Sequence, residues 1–176
     1  MSARIVGMLL AVVLLTACET KNLKLDPELV SQPTPQQISR AERIPAEGAL
    51  LVWTGKVQAV RNRARVTHIE VLSYPADTRR RPVTGRPASG RFIAEMAGFL
   101  EPHELPPGTA VSVQGSYVGI VDGKVGEAAY RYPLIRGQKL DVWRSKERAR
   151  HSDAPDVRWS IGVGSGGSGV GVGIGF

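Results

Sequence analysis

Between Ala49 and Trp143 the β-branched and aromatic residues fall into short runs separated by Gly, Pro and Asp. That punctuation argues for strands throughout the segment. Five runs stand out: Leu50 to Val60, Val66 to Tyr74 across an Asn62-Arg63 connection, Arg91 to Met96, Ala110 to Val121, and Leu134 to Trp143. In the fourth, strict alternation puts Val111, Val113 and Tyr117 on one face. Asp122-Gly123 is the expected hairpin turn after it, because a type I′ turn needs positive φ at both central residues. The interval from Gly98 to Pro107 has room for one helical turn around Glu101 to Leu105. Three strands, a short helix and further strands are the order of an oligonucleotide/oligosaccharide-binding (OB) barrel. Closure also removes edges that a small sheet would expose. The expected fold is all-β, a small OB-like barrel of five to six strands with one short helix, with a plain sandwich as the alternative.

The flanks have different compositions. The chain has 176 residues and 20 glycines, and many of the glycines crowd into its last stretch. At the front, Arg4 precedes an apolar run from Ile5 to Leu15, too short to span the roughly 30 Å of a bilayer core as a permanent helix. It reads as a signal peptide over residues 1–17. Cys18 is the sole cysteine of an exported chain, so it has no intramolecular partner and must be free, paired between molecules or modified. Leu15-Thr16-Ala17-Cys18 resembles the lipobox of bacterial lipoproteins, in which Thr16 and Ala17 would fit a small-residue pocket and the Cys18 thiol would take diacylglycerol. The mature N-terminus would then carry a covalent N-acyl diacylglycerol on Cys18, with no other cofactor expected. Several acyl chains, at about 0.8 kcal/mol per buried methylene, make such an anchor permanent. Glu19 is not the Asp that retains this class in the inner membrane, and so points to the outer membrane.

Residues 18–48 are expected to form a Pro-containing tether, broken by Pro27, Pro33, Pro35 and Pro45, with a random-coil reach of roughly 30 Å. Inside it Thr34-Pro35-Gln36-Gln37 has the N-cap, first-position Pro and third-position Gln of a helix start, so a short helix over Pro35 to Glu42 is expected. The barrel occupies 49–143, a charged linker 144–157, and a Gly-rich alternating tail 158–176. In the tail, Val170-Gly171-Val172-Gly173-Ile174-Gly175-Phe176 has the period of a strand but leaves one face bare. That composition is open to a disordered segment, a hairpin, a strand added to another sheet or a membrane-inserting piece. Self-association or capture of an envelope protein partner through this tail is the expectation drawn from it.

Several spaced motifs resemble the Slp outer-membrane lipoproteins, named for starvation-inducible members. They are Trp53-Thr54-Gly55, Ile69-Glu70-Val71-Leu72-Ser73-Tyr74-Pro75, Gly90-Arg91-Phe92-Ile93-Ala94, Gly98-Phe99-Leu100-Glu101-Pro102, Gly123-Lys124-Val125-Gly126-Glu127 and Tyr130-Arg131-Tyr132-Pro133. Thr54 stands where the family often has a second Gly, and Leu105 where an aromatic is usual. The resemblance implies a lipid-anchored barrel in the outer membrane of a Gram-negative bacterium, facing the periplasm. It implies no reaction.

The residues themselves offer little chemistry. His68, His103 and His151 have no Cys or His at a metal-ligand interval, so no metal site is expected. Ser73, Ser89 and Ser112 lie in no nucleophile elbow, and Glu101 and Glu104 beside Pro106 look like solvated charges rather than an acid/base pair. Gly164 onward resembles a phosphate loop in composition but lacks its Lys and helix. No enzyme activity and no catalytic residue are expected. The net charge of +7 fits an anionic membrane surface or nucleic acid, and an exported address argues against the latter. One cluster stands out: Arg79, Arg80, Arg81, Arg86 and Arg91 against Asp77. Guanidinium forks pair bidentately with phosphate, which makes this loop a candidate for binding lipid headgroups or acidic envelope polymers. Tyr117, Tyr130 and Tyr132 would add aromatic surface to a ligand site on the barrel face.

Overall fold

The computed structural model describes residues 25–144. The signal peptide, the lipobox with Cys18, His151 and the tail at 158–176 lie outside the described residues. Two short helices, α1 (Pro27–Val30) and α2 (Pro35–Ser39), precede five strands. These are β1 (Leu50–Asn62), β2 (Val66–Tyr74), β3 (Arg91–Ala97), β4 (Ala110–Val125) and β5 (Ala128–Trp143), with a 3-10 turn at Pro102–Glu104 between β3 and β4. The strands close in the order β1-β2-β3-β5-β4. Neighbours are antiparallel except β3 and β5, which run parallel from Ile93↔Leu134 to Glu95↔Arg136. This is the all-β, OB-like closure that the run pattern predicts, with five strands rather than six because β4 and β5 absorb the extra piece.

Closure depends on β1 serving two partners. Its first half pairs with β4, from Leu50↔Ser116 to Lys56↔Ala110, and its second with β2, from Thr54↔Tyr74 to Asn62↔Thr67. Register shifts at Val57/Ala59, Gln114/Gly115 and Tyr117/Gly119 bend the strands enough to close. At Gly55 an added Cβ would lie 2.6 Å from Val71 Cγ1 and against the Leu72 carbonyl, so β1 and β2 approach there as only glycine allows. The interior is filled. Trp53, Val57, Ile69, Val71, Phe92, Ala94, Met96, Val111, Val113, Ile135 and Leu140 are all buried in one cluster, and the Trp53 and Phe92 rings meet at 4.9 Å. Leu105, in the position usually aromatic, is also buried in it. Thr54, in place of a second Gly, is buried and donates its hydroxyl to the Tyr74 carbonyl at 2.8 Å, so the extra polar atom is satisfied.

Two expectations are corrected. The first concerns the hairpin. Asp122 and Gly123 lie inside β4, opposite Arg131 and Tyr130, and the turn falls at Gly126-Glu127. Gly126 has φ 59° in the first turn position, the place that a two-residue hairpin of type II′ gives to Gly. A turn at Asp122-Gly123 would pair Val113 with Tyr132 instead of Leu140 and Ala110 with Ile135 instead of Trp143, so the last residues of β5 would run past the start of β4 unpaired.

The second correction concerns the tether. From Leu25 onward the proline-containing segment packs on the barrel: Pro33, Pro35 and Ile38 are buried, and Ile38 belongs to the core cluster. The capping box expected at Thr34 is present, with the Thr34 hydroxyl accepting from the Gln37 amide and the Gln37 side chain accepting from the Thr34 amide. The helix it starts stops at Ser39, short of Glu42. Trp53 Nε1 donates to the Pro33 carbonyl at 3.0 Å, and Gln32 Oε1 accepts from the Val52 amide at 2.9 Å. Gln32 thereby covers part of β1 that precedes its pairing with β2. The prolines fail to keep this stretch in solvent because proline is apolar, and β1 and Trp53 offer it a surface and donors.

The barrel has two distinguishable ends. Leu50, Tyr74, Arg91 and Ser116 mark one, where residues 25–39 dock and the outer β4–β5 hairpin projects. Asn62, Val66, Ala97, Ala110 and Trp143 mark the other, from which the chain leaves toward its C-terminus.

Candidate functional site

The outer face of β2 carries His68, Glu70 and Leu72 by alternation, and Glu70 is nevertheless only 7% exposed. Two features cover it. Arg91, across the β2–β3 pairing, donates to Glu70 Oε1 at 2.7 Å, and Arg61 of β1 lies 3.5 Å from Oε2. The outer β4–β5 hairpin then folds over the pair: Tyr132 donates its hydroxyl to Glu70 Oε1 at 3.1 Å or to the Lys124 carbonyl at 2.9 Å, and Tyr130 accepts the Arg91 amide at 2.9 Å. The two tyrosine rings pack 4.7 Å apart. Burial, and then the Glu70 carboxylate beside it, push the Tyr132 phenol up to about 12. The arrangement is a latch. It holds the hairpin against the β2–β3 face that OB barrels use for ligands.

This latch was not singled out from the sequence, although four of the spaced motifs meet in it: Glu70, Arg91, Lys124, and Tyr130 with Tyr132. The available signal was a carboxylate between Ile69 and Val71, in a run otherwise apolar toward its centre. A second motif has a similar structural use. Asn62 Nδ2 donates to the Leu100 carbonyl at 2.9 Å, and Thr67 bonds both Asn62 and the Gly98 carbonyl, which ties the Gly98-Phe99-Leu100 loop to the β1–β2 turn. Phe99 itself points away and is 65% exposed.

The five candidate arginines do not form one cluster of open charge. Arg81 pairs with Asp77 at 2.9 Å, Arg80 lies 3.5 Å from Glu28 and 3.8 Å from Asp26, and Arg91 belongs to the latch. Arg79 and Arg86 are exposed, with no carboxylate in ion-pair range among the described residues. Burial raises the Asp77 carboxyl, but the Arg81 and Arg79 amides and the Arg81 guanidinium outweigh it and hold the group below its ordinary 3.8. Asp77 is thus the turn's organiser, accepting from both amides at 2.8–2.9 Å. The carboxylates of Asp26, Glu28 and Glu70 lie too far away in sequence to be read as partners of this loop.

The other polar candidates are dispersed. His68 faces Glu95 at 3.3 Å, and exposed His103 faces Glu101 at 3.5 Å in the turn that follows β3. Ser89 donates to Ser73 at 3.1 Å, and Ser112 accepts the Trp143 indole at 2.7 Å and bonds the Arg80 carbonyl. Burial raises the Tyr117 phenol, with Arg131 partly opposing it. No group of three or more His, Cys, Asp or Glu able to hold a metal occurs among the described residues. No helix among them is long and apolar enough to cross a membrane.

A shallow apolar groove of about 180 Å³ lies where α1 crosses the mouth of β1 and β2. Leu25, Leu29, Val30, Val52, Tyr74 and Pro75 line it.

A packed five-stranded barrel, latched by its own hairpin and clasped by an N-terminal segment, defines a compact β-domain whose described interior is filled by apolar side chains. Residues 15–163 match the model of the outer membrane lipoprotein Slp family, and the chain belongs to that family. It is 33% identical over 135 residues to a protein described as uncharacterized lipoprotein YeaY from Escherichia coli, a match covering 75% of this chain and 69% of the relative. It is 34% identical over 90 residues to an uncharacterized protein from Haemophilus influenzae, covering 51% of this chain and 49% of that one. No solved structure matches. Family membership makes the chain an outer-membrane lipoprotein, held to the membrane by lipid.

Proposed function

We propose that the protein is a non-enzymatic structural or binding module of the envelope, carried on lipid at Cys18, with its barrel facing the periplasm. The filled interior carries this reading. One cluster of buried apolar side chains fills the barrel, so recognition must use the outer surface. Phe99, the most exposed of the large apolar side chains among the described residues, sits in a motif loop at the end away from the N-terminal segment. An exposed aromatic held on a tied loop is a suitable anchor for a protein partner. In-cell photo-crosslinking from position 99 should yield a discrete adduct with an envelope protein, and protease added to intact cells should leave the domain uncut. Digestion of the domain on intact cells, or crosslinks to no macromolecule, would sink the reading. A second reading, binding of headgroups or acidic polymers, now rests on Arg79 and Arg86, the two loop arginines without a paired carboxylate. It predicts vesicle or polymer binding that falls as salt rises.

A further inference from the structure

We infer that the α1 end of the barrel is a membrane-docking surface, and that the groove beside α1 rests on the acyl chains of the bilayer that holds the lipid anchor. This rests on the proposal that Cys18 carries the lipid. Six residues separate Cys18 from Leu25, the first described residue, which bridges to Asp77. At the roughly 3.3–3.6 Å per residue of an extended chain, those seven steps reach at most about 25 Å. The groove therefore stays close to the bilayer surface whatever the linker does.

The distribution of exposed apolar side chains points the same way. Among the described residues five large ones are exposed: Val30, Ile44, Leu50, Phe99 and Val121. Phe99 alone is at the far end. Val30 ends α1 at the rim of the groove. Leu50 opens β1 opposite Ser116, and Val121 lies in the hairpin projecting beyond that pair. Ile44 precedes the turn whose Gly48 amide donates to the Tyr117 carbonyl. Apolar side chains gathered at one end are what an interfacial surface needs, since such faces sink about 5–10 Å into the headgroup and acyl boundary.

The rim decides which kind of contact this is. The side chains that line the groove include no charged group; of the nearby arginines, Arg80 is matched by Asp26 and Glu28 and Arg81 by Asp77, while Arg79 and Arg86 stay unpaired among the described residues. Docking is then driven by apolar burial, needs no anionic lipid, and on a zwitterionic surface is insensitive to salt. In both respects it differs from an arginine clamp.

The test uses the full lipidated protein in zwitterionic phosphatidylcholine vesicles. With Cys18 acylated, Val30→Cys supplies the one free thiol for an environment-sensitive fluorophore, and Phe99→Cys supplies the same probe at the far end. Both positions are exposed, so neither label disturbs the core. Lipids carrying a quencher high on the acyl chain should quench the Val30 probe at least about twofold more than the Phe99 probe, equally at low and high salt, given the shallow depth of interfacial contacts. Equal quenching at the two sites, or none at Val30, in protein that floats with the vesicles overturns the docking surface alone. Failure of the protein to float overturns the lipid anchor, and the docking surface with it.

Discussion

Replacing Ile38 by Ala asks whether the N-terminal segment is part of the fold or a leash. Ile38 is fully buried and lies on α2, which packs against β3 and β5. The substitution deletes three carbons, at about 0.8 kcal/mol each from transfer alone, or roughly 2.4 kcal/mol. The site is closed to solvent and framed by strands whose register is fixed on both sides, so it collapses poorly, and the cavity raises the cost to about 3–4 kcal/mol. Against a total stability of about 5–15 kcal/mol this is a large fraction. With a urea m-value near 2 kcal/mol/M, typical of small domains, the midpoint should fall by roughly 1.5–2 M. Intrinsic fluorescence suits the assay, because Trp53 donates to Pro33 and so reports whether the segment is docked. A loss below about 0.5 kcal/mol, the range of an ordinary surface substitution, would refute the argument and return residues 25–39 to the status of a tether.

Two further substitutions probe the barrel wall and the latch. Gly55→Ala drives a methyl group into the Leu72 carbonyl and Val71 side chain; backbone on both sides cannot yield cheaply, so a loss of several kcal/mol or failure to fold is expected, and a urea midpoint within error of the parent would contradict the close approach. Tyr132 titrates near 12 when folded against 10 for an ordinary phenol; the folded state holds the proton more tightly, so the stability it gains is complete below pH 10 and is lost as pH rises from 10 to 12. At most about 2–3 kcal/mol is involved. Tyr132→Phe should therefore be less stable than the parent near neutrality, by about 1 kcal/mol for the lost hydrogen bond, and should lose less of its remaining stability between pH 10 and 12. Parallel melting curves for the two proteins over that range would count against burial of the phenol.

Much of the barrel was legible because its cues are local. The second strand was read with the bounds it has, Val66–Tyr74, since nine residues rich in β-branched and apolar side chains are flanked by an arginine-rich turn and a proline. The capping box at Thr34 was legible for the same reason: its donors and acceptors lie within three residues. The hairpin turn was misplaced because local turn chemistry favours Asp122-Gly123, whereas register is set by pairs such as Val113↔Leu140 and Val111↔Val142 that no local window contains. The latch was illegible for a related reason. Glu70 meets Arg91 and Tyr132 from 21 and 62 residues away, and a single sequence holds no trace of that meeting beyond the oddity of a carboxylate among strand residues. The arginine loop was overcounted as open charge because its counter-ions arrive from α1 and β2.

The docking of residues 25–39 changes what the anchor does. A lipid on a free chain of some thirty residues would leave the barrel in every orientation, about 30 Å of coil away from the bilayer. Here the chain reaches the barrel at Leu25, through the Asp26 amide on the Ala76 carbonyl, and is clasped by Trp53 and by the Ser89 carbonyl on the Gln36 amide. Orientation is then a property of the fold, because the end that receives this segment is the end nearest the proposed lipid at Cys18. β5 runs the other way and delivers the chain beyond Trp143 to the far end, beside the Phe99 loop. One barrel thus separates attachment from presentation. The last described residues of β5 and the exposed Phe99 share one end of the barrel, which makes that end the one to probe for the proposed partner.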